Sequence, residues 1–90
     1  MNIFFKPSFV KDFKKLPSDT KAEVRKICIE DSLIIQDLTE FKYVDISSIK
    51  GFKDYYRIRV GNYRIGFKTE DHSIIFMRVK HRKDIYKVFP

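Results

Sequence analysis

The chain has 90 residues, of which 43% are hydrophobic and 16% aromatic, and this composition excludes intrinsic disorder. Nineteen Lys and Arg against twelve Asp and Glu give a net charge of +7, which favours a polyanionic partner, nucleic acid first. No apolar run approaches the roughly 20 residues that span a bilayer, and no repeat or linker divides the chain. We therefore predict one domain over residues 1–90, with no membrane segment.

The single cysteine, Cys28, has no partner for an internal disulfide, which predicts a reducing, cytoplasmic location. It falls on the apolar stripe of a predicted helix, so we expect a core residue and not a nucleophile. No spacing among Cys28, the two histidines and the acidic residues matches a zinc site, and no glycine-rich loop could cradle a phosphate. The sequence thus predicts neither a metal nor a cofactor.

The N-terminal half predicts a strand followed by two helices. Residues 2–6 are rich in Ile and Phe and predict a strand, after which Ser8 is positioned to cap a helix that reaches about Lys15. A second helix is predicted from about Asp19 to Asp37, with Thr20 and Glu23 at capping-box spacing and Ser18 as a competing cap. The apolar stripes of the two helices include Phe9, Phe13, Leu16, Val24, Ile27 and Cys28.

A β-hairpin is the clearest element of the C-terminal half. Apolar and basic residues alternate over 55–60 and again over 63–68, and Gly61-Asn62 between them suits a two-residue loop. Such a loop places Arg59 opposite Arg64 and Arg57 opposite Gly66. The hairpin therefore has one apolar face and one basic face.

A third strand is predicted over residues 73–80, after a three-residue loop at 70–72. This register sets Arg78 opposite Arg64 and Phe76 opposite Gly66, so that Arg59, Arg64 and Arg78 form a row across three strands. Because like charges opposite one another destabilise a sheet, we expect the row to bind an anion such as a phosphate.

These elements give an α+β fold in the order β-αα-βββ, with a mainly antiparallel twisted sheet. The helical hairpin is expected to cover the apolar face of the sheet and leave the basic face open. Residues 43–46 could form a short strand, but Ser47, Ser48 and Gly51 favour a loop there. Residues 80–90 are predicted to form one or two helical turns.

Three segments resemble the RelE/ParE superfamily of toxins from type II toxin–antitoxin systems. They are IKGFKDYYRIRVGNYRI at 49–65, VKHRKDIY at 79–86 and FKKLP at 13–17. The resemblance implies a cognate antitoxin in a hetero-oligomer and a messenger RNA and ribosome as target in the RelE branch, without a metal. The ParE branch instead inhibits DNA gyrase, and a third alternative is an inactive binding module; Tyr86 favours the RelE branch.

The resemblance implies site roles for Arg57, Arg59, Arg64, Arg82 and Tyr86, while the strand register and the chemistry of proton transfer add the other candidates. The catalytic candidates are Arg57, Arg59, Arg64, His81, Arg82 and Tyr86, although a shift of the alignment would give the role of Arg82 to Lys80. The RNA-binding candidates are Arg78, Lys80, Lys68 and Phe76.

The chemistry expected of such a site is attack by an RNA 2′-hydroxyl on the adjacent phosphate. Arginine forks stabilise the charge on the phosphoryl oxygens, while His81 and Tyr86 are the candidates for proton transfer. Several alternatives stay open: Arg57 and Arg59 as solvated surface, Tyr86 as a packing residue, and His81 as surface. Phe76 is predicted either to stack an RNA base above Gly66 or to pack under the C-terminal tail.

Overall fold

The computed structural model describes residues 1–41 and 45–90, with the side chain of Ile34 excepted. Five strands form one sheet: β1 (Asn2–Phe5), β2 (Asp45–Ser48), β3 (Tyr55–Val60), β4 (Tyr63–Glu70) and β5 (Ser73–His81). Their spatial order is β1-β5-β4-β3-β2, with β1 parallel to β5 and every other pair antiparallel. The predicted α+β fold is confirmed, with one more strand, β2, than the prediction contained.

The helical elements are α1 (Pro7–Lys14), α2 (Ser18–Arg25), a π-helical segment (Lys26–Asp31), α3 (Ser32–Ile34), a 3-10 helix (Leu38–Glu40) and α4 (Ile85–Val88). The second predicted helix is thus continuous from Ser18 to Ile34 but changes pitch in its middle. It ends at Ile34 because Ile35 adopts an extended backbone, with φ −86° and ψ 147°. None of the helices in the described residues is long and apolar enough to cross a membrane.

Both predicted helix caps are wrong. Pro7 is the first residue of α1, and the Ser8 hydroxyl donates instead to the carbonyl of Met77, at 2.8 Å. At α2 the residue before the helix is Pro17, and no side chain caps it. In α1 the hydroxyl is used for tertiary contact, because the first turn of the helix lies against β5.

The main core lies between the helices and one face of the sheet. The helices contribute Phe9, Val24 and Cys28, each at most 3% exposed, which confirms the apolar stripes. Burial raises the pKa of the Cys28 thiol, so the group stays protonated and inert, as expected of a core cysteine. The strands contribute Ile58, Val60, Ile65, Phe67, Ile74, Phe76 and Val79.

The register between β3 and β4 is the predicted one, with Arg59 opposite Arg64 and Arg57 opposite Gly66. The predicted register between β4 and β5 is wrong. The loop has two residues, Asp71 and His72, with φ of 48° and 60°, and the ladder shifts between Gly66 and Phe67. This β-bulge leaves an extra residue on β5 and moves every later pair.

The two-residue loop and the bulge together change the partners of Phe76, Arg78 and Lys80 on β5. Arg64 lies opposite Lys80 rather than Arg78, and Gly66 lies opposite Arg78 rather than Phe76. Phe76 is instead opposite Phe67, which faces the helices.

The edge strand β2 pairs antiparallel with β3. Ser47 and Ser48 lie within this strand, so the loop expected there is wrong. Tyr43 and Val44, the first half of the alternative strand, lie outside the described residues. On β2, Asp45 is opposite Arg59 and Ser47 is opposite Arg57, which extends the rows of the basic face by one strand.

A second, smaller core covers part of the face that was expected to be open. It contains the buried residues Ile49, Ile85 and Phe89, with Tyr55 and Met77 packed against them. The C-terminal tail forms one short helix, α4, as predicted, and lies on this face of the sheet. Only the part of the basic face beside α4 therefore stays open.

Candidate functional site

Two rows of side chains cross the sheet on the face opposite the main core. The first row runs Asp45, Arg59, Arg64, Lys80, and the second runs Ser47, Arg57, Gly66, Arg78. A row of three adjacent cations therefore exists, as the sequence predicted, but its third member is Lys80. Opposed like charges cost stability, and in this row Asp45 lies beside Arg59 while Asp12 lies beside Lys80, so Arg64 is the member without a carboxylate neighbour among the described residues.

The rows end at a cleft of about 230 Å³ beside α4. The cleft is lined by Asp45, Ser47, Arg57, Arg59, Arg64 and Tyr86. Three arginines, against one carboxylate, face this space. Four of the predicted catalytic residues are thus brought together here, from β3, β4 and α4.

The three arginines differ in how they are held. Arg64 is half-buried, and its Nη1 donates to the carbonyls of Gly61 and Tyr63, both at 2.9 Å. Arg59 is exposed and only 3.9 Å from Asp45, a contact that contributes little to stability in solvent. Within the described residues, Arg57 and Arg64 form no ion pair, so their charges are available to a ligand.

Tyr86 closes one side of the cleft through Arg57. The Arg57 guanidinium carbon lies 4.5 Å from the centre of the Tyr86 ring, which is a cation–π contact. Tyr86 is 67% exposed, so its hydroxyl remains accessible. The alternative that Tyr86 packs to close a core edge is wrong, since the buried residue of this turn is Ile85.

Arg78 and Lys80 both form ion pairs with the carboxylate of Asp12, which lies on α1. Arg78 donates to the nearly buried Asp12 of α1 through Nε, at 2.7 Å, and Nη2, at 3.1 Å. The Lys80 Nζ is 3.4 Å from the same carboxylate, which also accepts the Val79 backbone N–H. The prediction that Arg78 belongs to the row of opposed cations is therefore wrong, because the register sets Arg78 opposite Gly66 and its guanidinium pairs with Asp12.

The Asp12 carboxylate stays charged despite its burial. Burial alone would raise the pKa of Asp12, but the hydrogen bonds from Arg78 and the Val79 N–H, with the charges of Arg78 and Lys80, lower that pKa. The ion pair between Asp12 and Arg78 therefore links α1 to β5.

The predicted base-stacking role of Phe76 is wrong. Phe76 is fully buried on the helix side, with the rings of Phe5, Phe9 and Phe67 at 5.5–5.7 Å. The alternative that it packs under the C-terminal tail is wrong for the same reason. The space above Gly66 is occupied by the ring of Phe89.

The remaining predicted residues lie outside the cleft. His81 is opposite Tyr63 on the helix-facing side, with ring centres 5.4 Å apart, and its Nδ1 accepts the Lys83 N–H. Arg82 has an exposed side chain in the turn after β5, and Lys68 is 3.6 Å from Glu70. His81 thus lies on the opposite face of the sheet from Arg64 and does not line the cleft.

Asp45 and Ser47 line the cleft but were not among the predicted residues. The polar–apolar–polar pattern of Asp45, Ile46 and Ser47 is the one local signal for them, and it is too short to distinguish a strand from a loop. In residues 1–41 and 45–90, no three His, Cys, Asp or Glu side chains are grouped to hold a metal ion.

Comparisons with known proteins identify the class of this chain. Residues 3–86 match the family described as the ParE toxin of type II toxin–antitoxin system, parDE. Toxin RelE3 of Methanocaldococcus jannaschii is 47% identical over 90 residues, covering all of both chains. The toxin structure of the RelB–RelE antitoxin–toxin complex from Methanococcus jannaschii is 45% identical, with a TM-score of 0.83 and coverage of 97% of this chain and 99% of that one. The isolated E. coli RelE toxin shares the fold, with a TM-score of 0.68 at 18% identity over 96% of this chain and 90% of that one.

The chain therefore belongs to the RelE/ParE superfamily of toxins from type II toxin–antitoxin systems. Within it, the relatives at 47% and 45% identity support the RelE-like branch.

Proposed function

We propose that this toxin is an endoribonuclease that cleaves messenger RNA at the ribosome by attack of the RNA 2′-hydroxyl on the adjacent phosphate. The observation that supports this most is the cleft in which Arg57, Arg59 and Arg64 meet Tyr86. Arg57 and Arg64 have no carboxylate partner among the described residues. Such guanidinium groups suit a phosphate, because their N–H groups match the spacing of its oxygens.

In the proposed reaction, the 2′-oxygen forms a bond to phosphorus and the 5′-oxygen of the next nucleotide leaves. The products are a 2′,3′-cyclic phosphate and a free 5′-hydroxyl. Charge accumulates on the phosphoryl oxygens in the transition state, and Arg57 and Arg64 stabilise it from fixed positions. Because arginine stays protonated, proton transfer falls to the groups in the cleft that can exchange a proton, the Tyr86 phenol and the Asp45 carboxylate.

The proposed partners are the messenger RNA, the ribosome and a cognate antitoxin in a hetero-oligomer. The structure at 45% identity is that of a toxin in complex with RelB, which supports an antitoxin for this chain as well. The +7 charge favours both polyanionic RNA and an antitoxin with an acidic contact surface.

Gyrase inhibition is the second candidate, because the matching family model describes a ParE toxin. RNA cleavage and gyrase inhibition are distinguished by incubating the purified toxin with messenger RNA, with and without ribosomes, and mapping the 5′ ends by primer extension. A gyrase supercoiling assay is run in parallel. Discrete new RNA ends that require ribosomes, with normal supercoiling, are expected; intact RNA with blocked supercoiling would establish the alternative.

A further inference from the structure

Gly66 and Phe89 are in unusually close contact next to the cleft. A Cβ atom at position 66 would lie 2.5–2.7 Å from three atoms of the Phe89 ring, closer than side chains approach each other. The ring cannot readily move away, because Phe89 is only 3% exposed and packs against Tyr55 at 5.8 Å between ring centres. Glycine inside a strand is costly, so its presence here is explained by the space that the missing side chain leaves for the Phe89 ring. We call this space above Gly66 the seat of Phe89.

The contact between Phe89 and Gly66 fixes the position of Tyr86, because Tyr86 lies on α4, the short helix that precedes Phe89. The Phe89 N–H donates to the Ile85 carbonyl at 2.9 Å, so the ring is fixed to the turn that carries Tyr86. Ile85 is fully buried beside Phe89. On the neighbouring strand, Arg57 is opposite Gly66 and beneath the Tyr86 ring. The glycine, the phenylalanine and the cation–π pair thus form one continuous set of contacts.

A helix of one turn has little stability of its own, because nucleation costs more than a few hydrogen bonds return. Its position therefore depends on the side chains that anchor it to the sheet. Ile85 and Phe89 are the two buried anchors, and Phe89 is the one whose seat requires the absence of a side chain.

We propose that Phe89, seated on Gly66, is a positioning residue that holds Tyr86 over Arg57 in the RNA-cleaving geometry. This inference rests on the proposed function for its effect on cleavage, but not for its effect on α4. Adding one methyl group at position 66 displaces the ring, releases α4 and removes Tyr86 from the cleft.

The test compares Gly66→Ala, Phe89→Ala and the double variant, with Val88→Ala as the matched control. Val88 is 43% exposed and precedes Phe89, so its truncation should leave α4 seated. Hydrogen exchange of the C-terminal peptide measures seating directly, and circular dichroism confirms that each variant is folded. Gly66→Ala and Phe89→Ala should lose protection in the C-terminal peptide while β3 and β4 keep theirs. The double variant should be no less protected than Phe89→Ala, since the added methyl has no ring to displace.

The same variants are assayed for single-turnover cleavage of ribosome-bound messenger RNA. Displacing a group in the cleft by this route should lower the rate roughly 10- to 100-fold. In a Tyr86→Ala background, Gly66→Ala should cause no further loss, because its effect acts through Tyr86. The proposal would be overturned if Gly66→Ala lowered the cleavage rate as much in the Tyr86→Ala background as in the unmodified protein. It would also be overturned by a Gly66→Ala protein with full protection and full activity. If the unmodified protein cleaves no RNA, the proposed function fails, while the exchange data still decide whether Phe89 seats α4.

Discussion

At the scale of single residues, Arg64 and Arg78 show how differently two arginines of one sheet can be used. Arg78 is held by a nearly buried carboxylate, with a bidentate contact to Asp12. Arg64 is held only by two backbone carbonyls, which fix its direction without neutralising its charge. The first arrangement stabilises the fold, and the second leaves a cation ready for a ligand.

Replacing Asp12 by Asn should lower the free energy of unfolding at neutral pH by about 2–3 kcal/mol, because hydrogen bonds to charged groups contribute about that much. The pKa of Asp12 is lowered by folding from its ordinary value of 3.8, so the carboxylate stabilises the protein above that pH. The contribution is lost as the pH falls below that value and through the lowered pKa of the folded state.

Urea unfolding at several pH values measures this difference. The exposed Asp19→Asn serves as the control and should change stability little at any pH. An Asp12→Asn penalty that is as large in acid as at neutral pH would show that the Asp12 charge is not responsible.

At the scale of elements, the helix that begins at Ser18 changes pitch after α2. Over Lys26–Asp31 the backbone is π-helical, and Lys26 pairs with Asp31, five residues on, at 3.2 Å. Ser32 is fully buried, and its Oγ lies 2.6 Å from the Cys28 carbonyl and 2.9 Å from that of Ile27. A serine hydroxyl that bonds back to preceding carbonyls often bends a helix.

Ser32→Ala should therefore destabilise the protein by about 1 kcal/mol, because buried carbonyls lose a donor. Thermal unfolding of Ser32→Ala and of the exposed Ser18→Ala, which lacks a capping bond, provides the comparison. Unchanged or increased stability of Ser32→Ala would indicate that packing of the neighbouring apolar residues sets the pitch instead.

The sequence was sufficient for the first hairpin but not for the third strand, and the difference is physical. Gly61-Asn62 marks a two-residue loop with clear alternation on both sides, so the register between β3 and β4 follows from counting. On β5 the run from Ile74 to Met77 is apolar at every position, and alternation cannot tell which residues face the helices. The bulge then places Phe76 and Val79, three residues apart, in the same core.

The cleft was predictable only in part for related reasons. Arg57, Arg59 and Arg64 follow from the hairpin register, and Tyr86 from the family resemblance. Asp45 was missed because a four-residue edge strand gives little periodicity, and Phe89 because a tail that folds back on a sheet is a tertiary contact with no local signal.

At the scale of the whole molecule, both faces of the sheet carry a core, one under the helices and one under the C-terminal tail. The open basic surface is thereby reduced to the cleft and its rim. Because the net charge is +7, encounters with an acidic partner are still steered by the field of the whole protein.

We therefore expect the rate of association with the proposed antitoxin to fall about tenfold or more from low to high ionic strength, as for steered encounters. The dissociation rate should change much less, since short-range contacts govern it. Stopped-flow measurement of both rates tests this, and an association rate that is independent of salt would contradict steering by charge.

The central claim is that the cations of the cleft hold the RNA phosphate, and Arg64→Ala tests it most directly. The measurement is the single-turnover rate of messenger RNA cleavage on ribosomes, with unfolding by urea followed in parallel. Loss of a fixed donor to the transition state should lower the rate about 100- to 1000-fold, while stability changes by less than about 1 kcal/mol. Arg25→Ala, which removes an exposed arginine from α2, should retain the rate of the unmodified protein. Full activity of a folded Arg64→Ala protein, or equal losses in both variants, would contradict the account.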